Sequence, residues 1–180
     1  MITIDSFRTV VMTVLGVASM LAPLAAQRRA PGQPQETKVP ATINLKVAGA
    51  AYTFSGPATC EHLQRGSIYD TPAERWSVQQ ADGARSLSLT VWRPLAGGED
   101  MITLSVSDGA KRADVNTVKG RQQTQTTGSG TVKFTPAGKG GTFAIDAKTT
   151  SGGAIAGTIA CESFTTATPV AGDAVIGPMQ

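Results

Sequence analysis

The sequence predicts an all-β protein, an antiparallel β-sandwich of about eight to nine short strands. Three observations indicate this class: apolar and polar residues alternate in short segments, threonine, serine and valine dominate those segments, and glycine-containing turns separate them. No segment shows the periodicity of a long helix. A small up-and-down β-barrel is the alternative, because hairpin follows hairpin in a meander that could close on itself.

The first two strands are indicated by alternating residues on either side of Gly49. Residues 43–47 and 52–54 place apolar side chains at every second position, which predicts a hairpin. Gly56 and Pro57 are expected to end its second strand. Cys60 would then lie in a short segment that follows the hairpin.

Two Asp-Gly pairs indicate further hairpins, because Asp-Gly is a favoured two-residue turn. With Asp82 and Gly83 at the tip, Val78 is predicted to lie opposite Leu87, and apolar residues share one face of both strands. Asp108 and Gly109 predict a second hairpin of the same construction. The expected result is a sheet with one buried face.

The downstream segments complete the predicted sheet. Phe134 is expected to pair with Phe143 across a loop at residues 136–141. In the last strand the alternation directs Cys161 inward and Glu162 outward.

The chain is predicted to begin with a secretory signal peptide. Arg8 precedes an apolar run at residues 10–24, and Ala25 and Ala26 follow it. Retention of this segment as a membrane anchor is the alternative. The predicted organisation is a signal peptide at 1–26, a flexible leader at 27–40, a β-sandwich domain at 41–164 and a flexible tail at 165–180.

Gln27 stands where a bacterial lipoprotein would carry its lipid-bearing cysteine. The preceding Leu24, Ala25 and Ala26 resemble a lipoprotein processing box, but glutamine has no thiol to acylate. No lipid anchor is therefore expected on this residue. The predicted location is periplasmic or secreted.

Cys60 and Cys161 are the only two cysteines. Cysteine pairs of exported proteins are usually oxidised, so the two are predicted to form one structural disulfide. The bridge would tie the last strand to the segment after the first hairpin.

The charge pattern disfavours a nucleic-acid partner. The formal net charge is +3, and the basic residues are scattered rather than clustered. The sequence does not identify the partner, and an envelope glycan and an envelope protein are the two candidate classes. No cofactor is expected.

His62 is the only histidine and the only candidate general base of its type. Its neighbour Glu61 points to the opposite face of an extended strand and cannot orient the imidazole. Zinc binding by Cys60, His62 and Cys161 is the alternative for this group, and it competes with oxidation of the two thiols. We therefore assign no catalytic residue and no metal ligand.

Acidic residues provide the main enzymatic alternative. A small secreted hydrolase would need two carboxylates that face each other across a cleft. Four acids in or near predicted loops could supply them: Asp70, Glu74, Glu99 and Asp100.

Trp92 and Arg93 are the candidate ligand contacts. Trp92 falls on the polar face of its strand, where an indole could stack on a sugar or anchor a protein. The competing interpretation is that Trp92 closes a sheet edge near Pro94. Trp76, in contrast, is predicted to lie in the core.

Short glycine-rich segments carry a resemblance to a known family. The chain resembles the mycobacterial surface lipoprotein antigens over about residues 43–164, at Gly49, Gly56, the Thr59 and Cys60 pair, and residues 128–132 and 157–161. This resemblance implies a disulfide-closed sandwich on the cell envelope without an established enzymatic role. The chain departs from that family at Gln27.

The predicted function is that of an exported, non-catalytic module with a binding or structural role and an unknown ligand. A small hydrolase is one alternative. A protein-partner or inhibitory module, whose partner adds a strand at an exposed sheet edge, is the other.

Overall fold

The computed structural model describes residues 36–119 and 126–167. The predicted signal peptide, residues 27–35 of the predicted leader and the predicted tail beyond residue 167 lie outside the described residues. The first strand begins at Lys38, and a short final strand ends at Thr166. The sheet therefore reaches slightly beyond the predicted domain limits of 41 and 164.

Ten strands make up the described fold, and the described residues contain no helix. The strands are β1 Lys38–Val47, β2 Ala50–Ile68, β3 Thr71–Asp82, β4 Arg85–Pro94, β5 Met101–Asp108, β6 Lys111–Asn116, β7 Ser129–Ala137, β8 Gly140–Lys148, β9 Ala154–Cys161 and β10 Thr165–Thr166.

All ten strands belong to one sheet, which confirms the all-β prediction. The strand order is β6-β5-β4-β3-β2-β1-β9-β8-β7, and every neighbouring pair in this order is antiparallel. The sheet curls until its edge strands β6 and β7 come close. The single curled sheet is the arrangement that the barrel alternative describes.

A seam between β6 and β7 keeps this barrel from closing fully. The antiparallel pairings make these two edge strands run in the same direction, because nine strands are an odd number. Within the described ranges, one antiparallel bridge between Asn116 and Thr127 links the two edges, with N···O distances of 2.7 and 2.8 Å.

The tenth strand pairs with the part of β2 that β1 does not reach. The pairing of β1 with β2 starts at Lys38 opposite Thr59, so β2 has no β1 partner beyond that point. There β10 pairs in parallel with Glu61 and His62, and the backbone N–H of Ala167 donates to His62 O at 2.9 Å.

The Asp-Gly hairpins form with a register two residues away from the predicted one. Val78 lies opposite Leu89, not Leu87, because the tip residues are Gly83 and Ala84. Gly83 has a φ of 57° and occupies the first central position, which is typical of a type II′ turn. A shift of two residues keeps every side chain on its predicted face.

The second hairpin shows the same shift. Its tip is Gly109 and Ala110, so Leu104 lies opposite Val115. The register of the later hairpin is as predicted, with Phe134 opposite Phe143.

The prediction that Gly56 and Pro57 end a strand is wrong. Both residues lie inside the 19-residue strand β2, where Gly56 pairs with Ala41 and Pro57 pairs with Pro40. The strand continues because pairing with β3 begins at Thr59, as pairing with β1 ends. Cys60 is consequently a central residue of β2.

The core fills the inside of the curled sheet, as is usual in small barrels. Inward-facing side chains of the strands form one continuous cluster, with Val132 and Phe134 of β7 packed against it. Among the largest fully buried side chains are Phe143, Ile43, Leu87, Leu89 and Ile102.

Cys60 and Cys161 form a disulfide inside this core, as predicted. Their Cα atoms are 6.4 Å apart, and both residues are buried. The bridge joins β2 to the end of β9. Glu162 is exposed, which confirms its predicted outward direction.

The two ends of the barrel differ in composition. At one end, called the turn end, the tips of four hairpins are built of small residues: Ala48 and Gly49, Gly83 and Ala84, Gly109 and Ala110, and residues 149–153. The other end, called the cleft end, holds the long β2–β3 hairpin, the loop at 95–100, the β7–β8 turn and β10. A hydrogen bond from Leu95 N to Pro72 O connects two of these segments.

A buried polar pair near the turn end gives a pH-dependent prediction. The Tyr52 hydroxyl donates to Gln80 Oε1 at 2.7 Å, and Arg85 lies over the Tyr52 ring. Burial raises the pKa of Tyr52 above its ordinary value, although the Arg85 charge opposes this. The folded state thus holds the phenolic proton more tightly than the unfolded state. The resulting stability is complete below about pH 10 and is lost as the pH rises through the folded-state pKa.

Tyr52→Phe is expected to lower stability at neutral pH by about 1 to 3 kcal/mol, because Gln80 loses its donor. It should also flatten the alkaline decrease in stability. Urea unfolding of the unchanged protein and of Tyr52→Phe between about pH 8 and 11 measures how the free energy of unfolding of each protein changes with pH. Parallel alkaline slopes in the two proteins would contradict the assignment to Tyr52.

Candidate functional site

His62 lies at the cleft end on the inward-facing side of β2, directly opposite Trp76 of β3. Its Nε2 donates to Glu74 Oε1 at 2.6 Å, since a carboxylate can only accept. Glu74 precedes Trp76 by two residues on the same face of β3, so it is the diagonal cross-strand neighbour of His62. The side chains of His62 and Glu74 are 24% and 25% exposed, so water reaches the pair.

The Trp76 indole packs against both His62 and Arg93. The His62 ring stacks on it with an interplanar angle of 1° and a centroid distance of 4.9 Å. The Arg93 guanidinium, on β4, lies 4.9 Å from the Trp76 ring centroid. Phe134 and Phe164 extend this aromatic group, and Phe164 meets the His62 ring edge. The prediction that Trp76 belongs to the core is confirmed.

Arg93 is held in place by Asp100. The guanidinium donates to both carboxylate oxygens, at 3.0 Å through Nε and 2.7 Å through Nη2. These hydrogen bonds, with smaller contributions from the charges of Asp100 and Glu74, raise the pKa of Arg93 despite its partial burial. The cleft end therefore contains two hydrogen-bonded side-chain pairs, His62 with Glu74 and Arg93 with Asp100.

An open cleft of about 360 Å³ lies beside these pairs. One wall is the part of β2 beyond His62, and the other is the segment that leads into β10. Its lining residues are His62, Leu63, Gln64, Arg65, Phe164, Thr165 and Thr166.

Gln64 and Arg65 form an irregularity in β2. The register with β3 shifts between Leu63 and Gly66, so the two intervening residues have no partner in the ladder. Both side chains are exposed. Arg65 makes no ion pair with any residue of the described ranges, whereas Arg85, Arg93 and Arg112 each contact an aspartate.

The candidate contacts Trp92 and Arg93 lie on opposite faces of β4. Trp92 is on the outer face, where it is half-buried and the Arg75 guanidinium lies 5.4 Å from its ring centroid. Arg93 points inward to Trp76 and Asp100. The structure therefore does not bring these two side chains together in one site.

The residues that the sequence offers as zinc ligands do not form a metal site. Cys60 and Cys161 bind each other and so provide no thiolate for zinc. In residues 36–119 and 126–167, no group of three or more His, Cys, Asp or Glu side chains could hold a metal ion.

Two cleft-end residues have a position that the sequence does not predict. Glu74, a candidate loop acid in the sequence, lies in β3 beside His62, and Arg65, to which the sequence assigns no role, lies in the irregularity of β2. The correct register of β2 with β3 would have paired His62 with Trp76 and revealed this diagonal contact. The irregularity at Arg65 leaves no signal in the alternating pattern.

Comparison with known proteins adds no relative: no protein-family model, no curated protein and no solved structure matches the chain. The described part of the chain has no helix of the length and apolarity that crossing a membrane requires. Its function must therefore be argued from its own residues.

Proposed function

We propose that this protein is an exported, non-catalytic binding module of the bacterial envelope or extracellular space, and that it binds through its cleft end. The difference between the two ends of the barrel is the observation that carries this proposal. The turn end has short tips of small residues, whereas the cleft and the aromatic group with its hydrogen-bonded side chains lie at the other end.

Large exposed apolar side chains support the choice of the cleft end. In the described ranges these are Tyr69 and Leu95, which are 48% and 54% exposed. Tyr69 is at the tip of the β2–β3 hairpin, and Leu95 is bonded through its backbone to Pro72 of the same hairpin. Exposed aromatic and apolar side chains near a cleft are typical of binding surfaces.

The exported location rests on the N-terminal sequence and on the disulfide. A buried structural disulfide is compatible with an oxidising compartment outside the cytoplasm. A glycan or protein of the envelope is then the expected partner class.

A binding screen with matched variants tests the proposal. The whole protein is immobilised and presented with peptidoglycan, envelope phospholipid vesicles and purified envelope proteins. The double variant Tyr69→Ser, Leu95→Ser should weaken binding of any retained component at least about tenfold. The control Ala84→Ser, Ala110→Ser places serines at the turn end and should bind as the unchanged protein does. Equal binding by both variants would refute a role for the cleft end.

A small hydrolase is the second candidate, and the contact between His62 and Glu74 is the observation that favours it. A carboxylate that orients an imidazole is one part of a general-base site. Two groups that could act as nucleophiles are occupied, because Cys60 is in the disulfide and the Thr165 hydroxyl donates to Cys60 O. Reproducible turnover of a glycan or ester that is lost in His62→Gln would overturn the non-catalytic proposal.

A further inference from the structure

We propose that the cleft binds a carboxylate carried on a flat apolar group, and that Arg65 is its anchor. This inference rests on the proposed function, since it names the class of ligand that the cleft end would receive. It is argued from the position of Arg65, the charges that line the cleft, and the apolar surface beside them.

Arg65 is placed for binding by the irregularity in β2. Because Gln64 and Arg65 have no ladder partner in β3, their side chains are free of the packing that neighbouring strands impose. Both residues line the cleft and are exposed. The β10 segment, fixed by its pairing with Glu61 and His62, provides the facing wall.

The described residues that line the cleft include the cation Arg65 and no aspartate or glutamate. The Glu74 carboxylate accepts a hydrogen bond from His62, which is one of the lining residues. Arg65 forms no ion pair with the described residues, so its guanidinium can present a planar set of donors to a carboxylate.

Additional donors and an apolar wall refine the ligand class. The Gln64 amide and the Thr166 hydroxyl line the cleft and form no hydrogen bond with other described residues. Phe164 and Leu63 supply apolar surface, and the planar His62 ring lies beside them. A volume of about 360 Å³ is at the small end of ligand sites and suits a compact molecule.

Titration of the whole ¹⁵N-labelled protein with benzoate tests the inference, with benzamide and inorganic phosphate as comparison ligands. Benzoate should shift the backbone amides of residues 62–65 and 164–166 saturably, with a dissociation constant on the order of millimolar. Neutral benzamide should bind at least about tenfold more weakly, because it lacks the charge-assisted bonds. Phosphate that bound as tightly as benzoate would overturn the requirement for a flat apolar group.

Variants assign the effect to Arg65. Arg65→Gln should weaken benzoate binding by about tenfold to a hundredfold, and Arg65→Lys should recover part of it. Lys46→Gln removes the same charge from the exposed outer face of β1 and should leave binding unchanged. Equal losses in Arg65→Gln and Lys46→Gln would mean that only net charge matters, and the site would be refuted.

The outcomes separate this inference from the proposed function. If benzoate does not bind but Tyr69→Ser, Leu95→Ser still lowers partner binding, the anchor role of Arg65 is refuted and the cleft end remains the binding surface. If benzoate binds at Arg65 but the double serine variant has no effect on the partner, the cleft is a ligand site and the proposed use of the hairpin tip is refuted.

Discussion

Removal of the disulfide between Cys60 and Cys161 is expected to lower the free energy of unfolding by about 4 to 5 kcal/mol. The two residues are 101 positions apart, so the bridge restricts a long loop in the unfolded chain. A small domain is stable by only about 5 to 15 kcal/mol in total, so the loss approaches the whole margin. Urea unfolding of the protein and of Cys60→Ala, Cys161→Ala, followed by tryptophan fluorescence, measures the difference.

Reductant provides the control for this prediction. It should bring the unchanged protein close to the stability of the double-alanine variant and should not affect the variant itself. An unchanged unfolding midpoint after both thiols have been shown to be free would contradict the expected contribution of the bridge.

Gly157→Ala is expected to destabilise the fold by about 3 kcal/mol or more, because it combines backbone strain with a steric clash. Gly157 lies in β9 between β1 and β8, with a φ of 142°. A Cβ atom at this position would come within 2.1 Å of Asn44 O and 3.0 Å of Leu45 Cα, both in the backbone of β1. Relief of this overlap requires β1 and β9 to separate.

Gly152→Ala is the control that separates backbone strain from the steric clash. Gly152 has a φ of 85°, but a Cβ atom there would meet nothing within 4 Å. Its substitution should therefore cost only the backbone penalty, about 1 to 2 kcal/mol. Thermal or urea unfolding of both variants measures the two losses. Equal losses would show that the close approach of β1 and β9 does not contribute.

The faces of the strands could be predicted from the sequence, but their exact pairing could not. Alternation alone placed Trp76 and Cys161 inside and Glu162 outside, as the structure shows. The register of the Asp-Gly hairpins depends on which residues form the turn, and Gly83 permits two solutions that differ by two residues. Both solutions bury the same faces, so the hydrophobic pattern could not distinguish them.

The arrangement of the cleft end was harder to predict because it depends on contacts between distant strands. Arg93 of β4 and Asp100 of the following loop are seven residues apart and form an ion pair, whereas the sequence suggests a ligand contact for Arg93 and a catalytic acid for Asp100. Glu74 reaches His62 only through the pairing of β2 with β3. Pairing of β10 with β2 brings Phe164 to the same place, and a two-residue strand is too short to leave a periodic signal.

The position of the disulfide also determines how the barrel would respond to mechanical tension. The chain enters β1 and leaves β10 at the same end, and Cys60 and Cys161 join the second strand to the ninth. A pulling force on the two ends would follow the covalent path through the sulfur atoms and bypass every residue between them. As long as the bridge is oxidised, strands β3 to β8 carry no direct load, whereas β1, β10 and the start of β2 can extend.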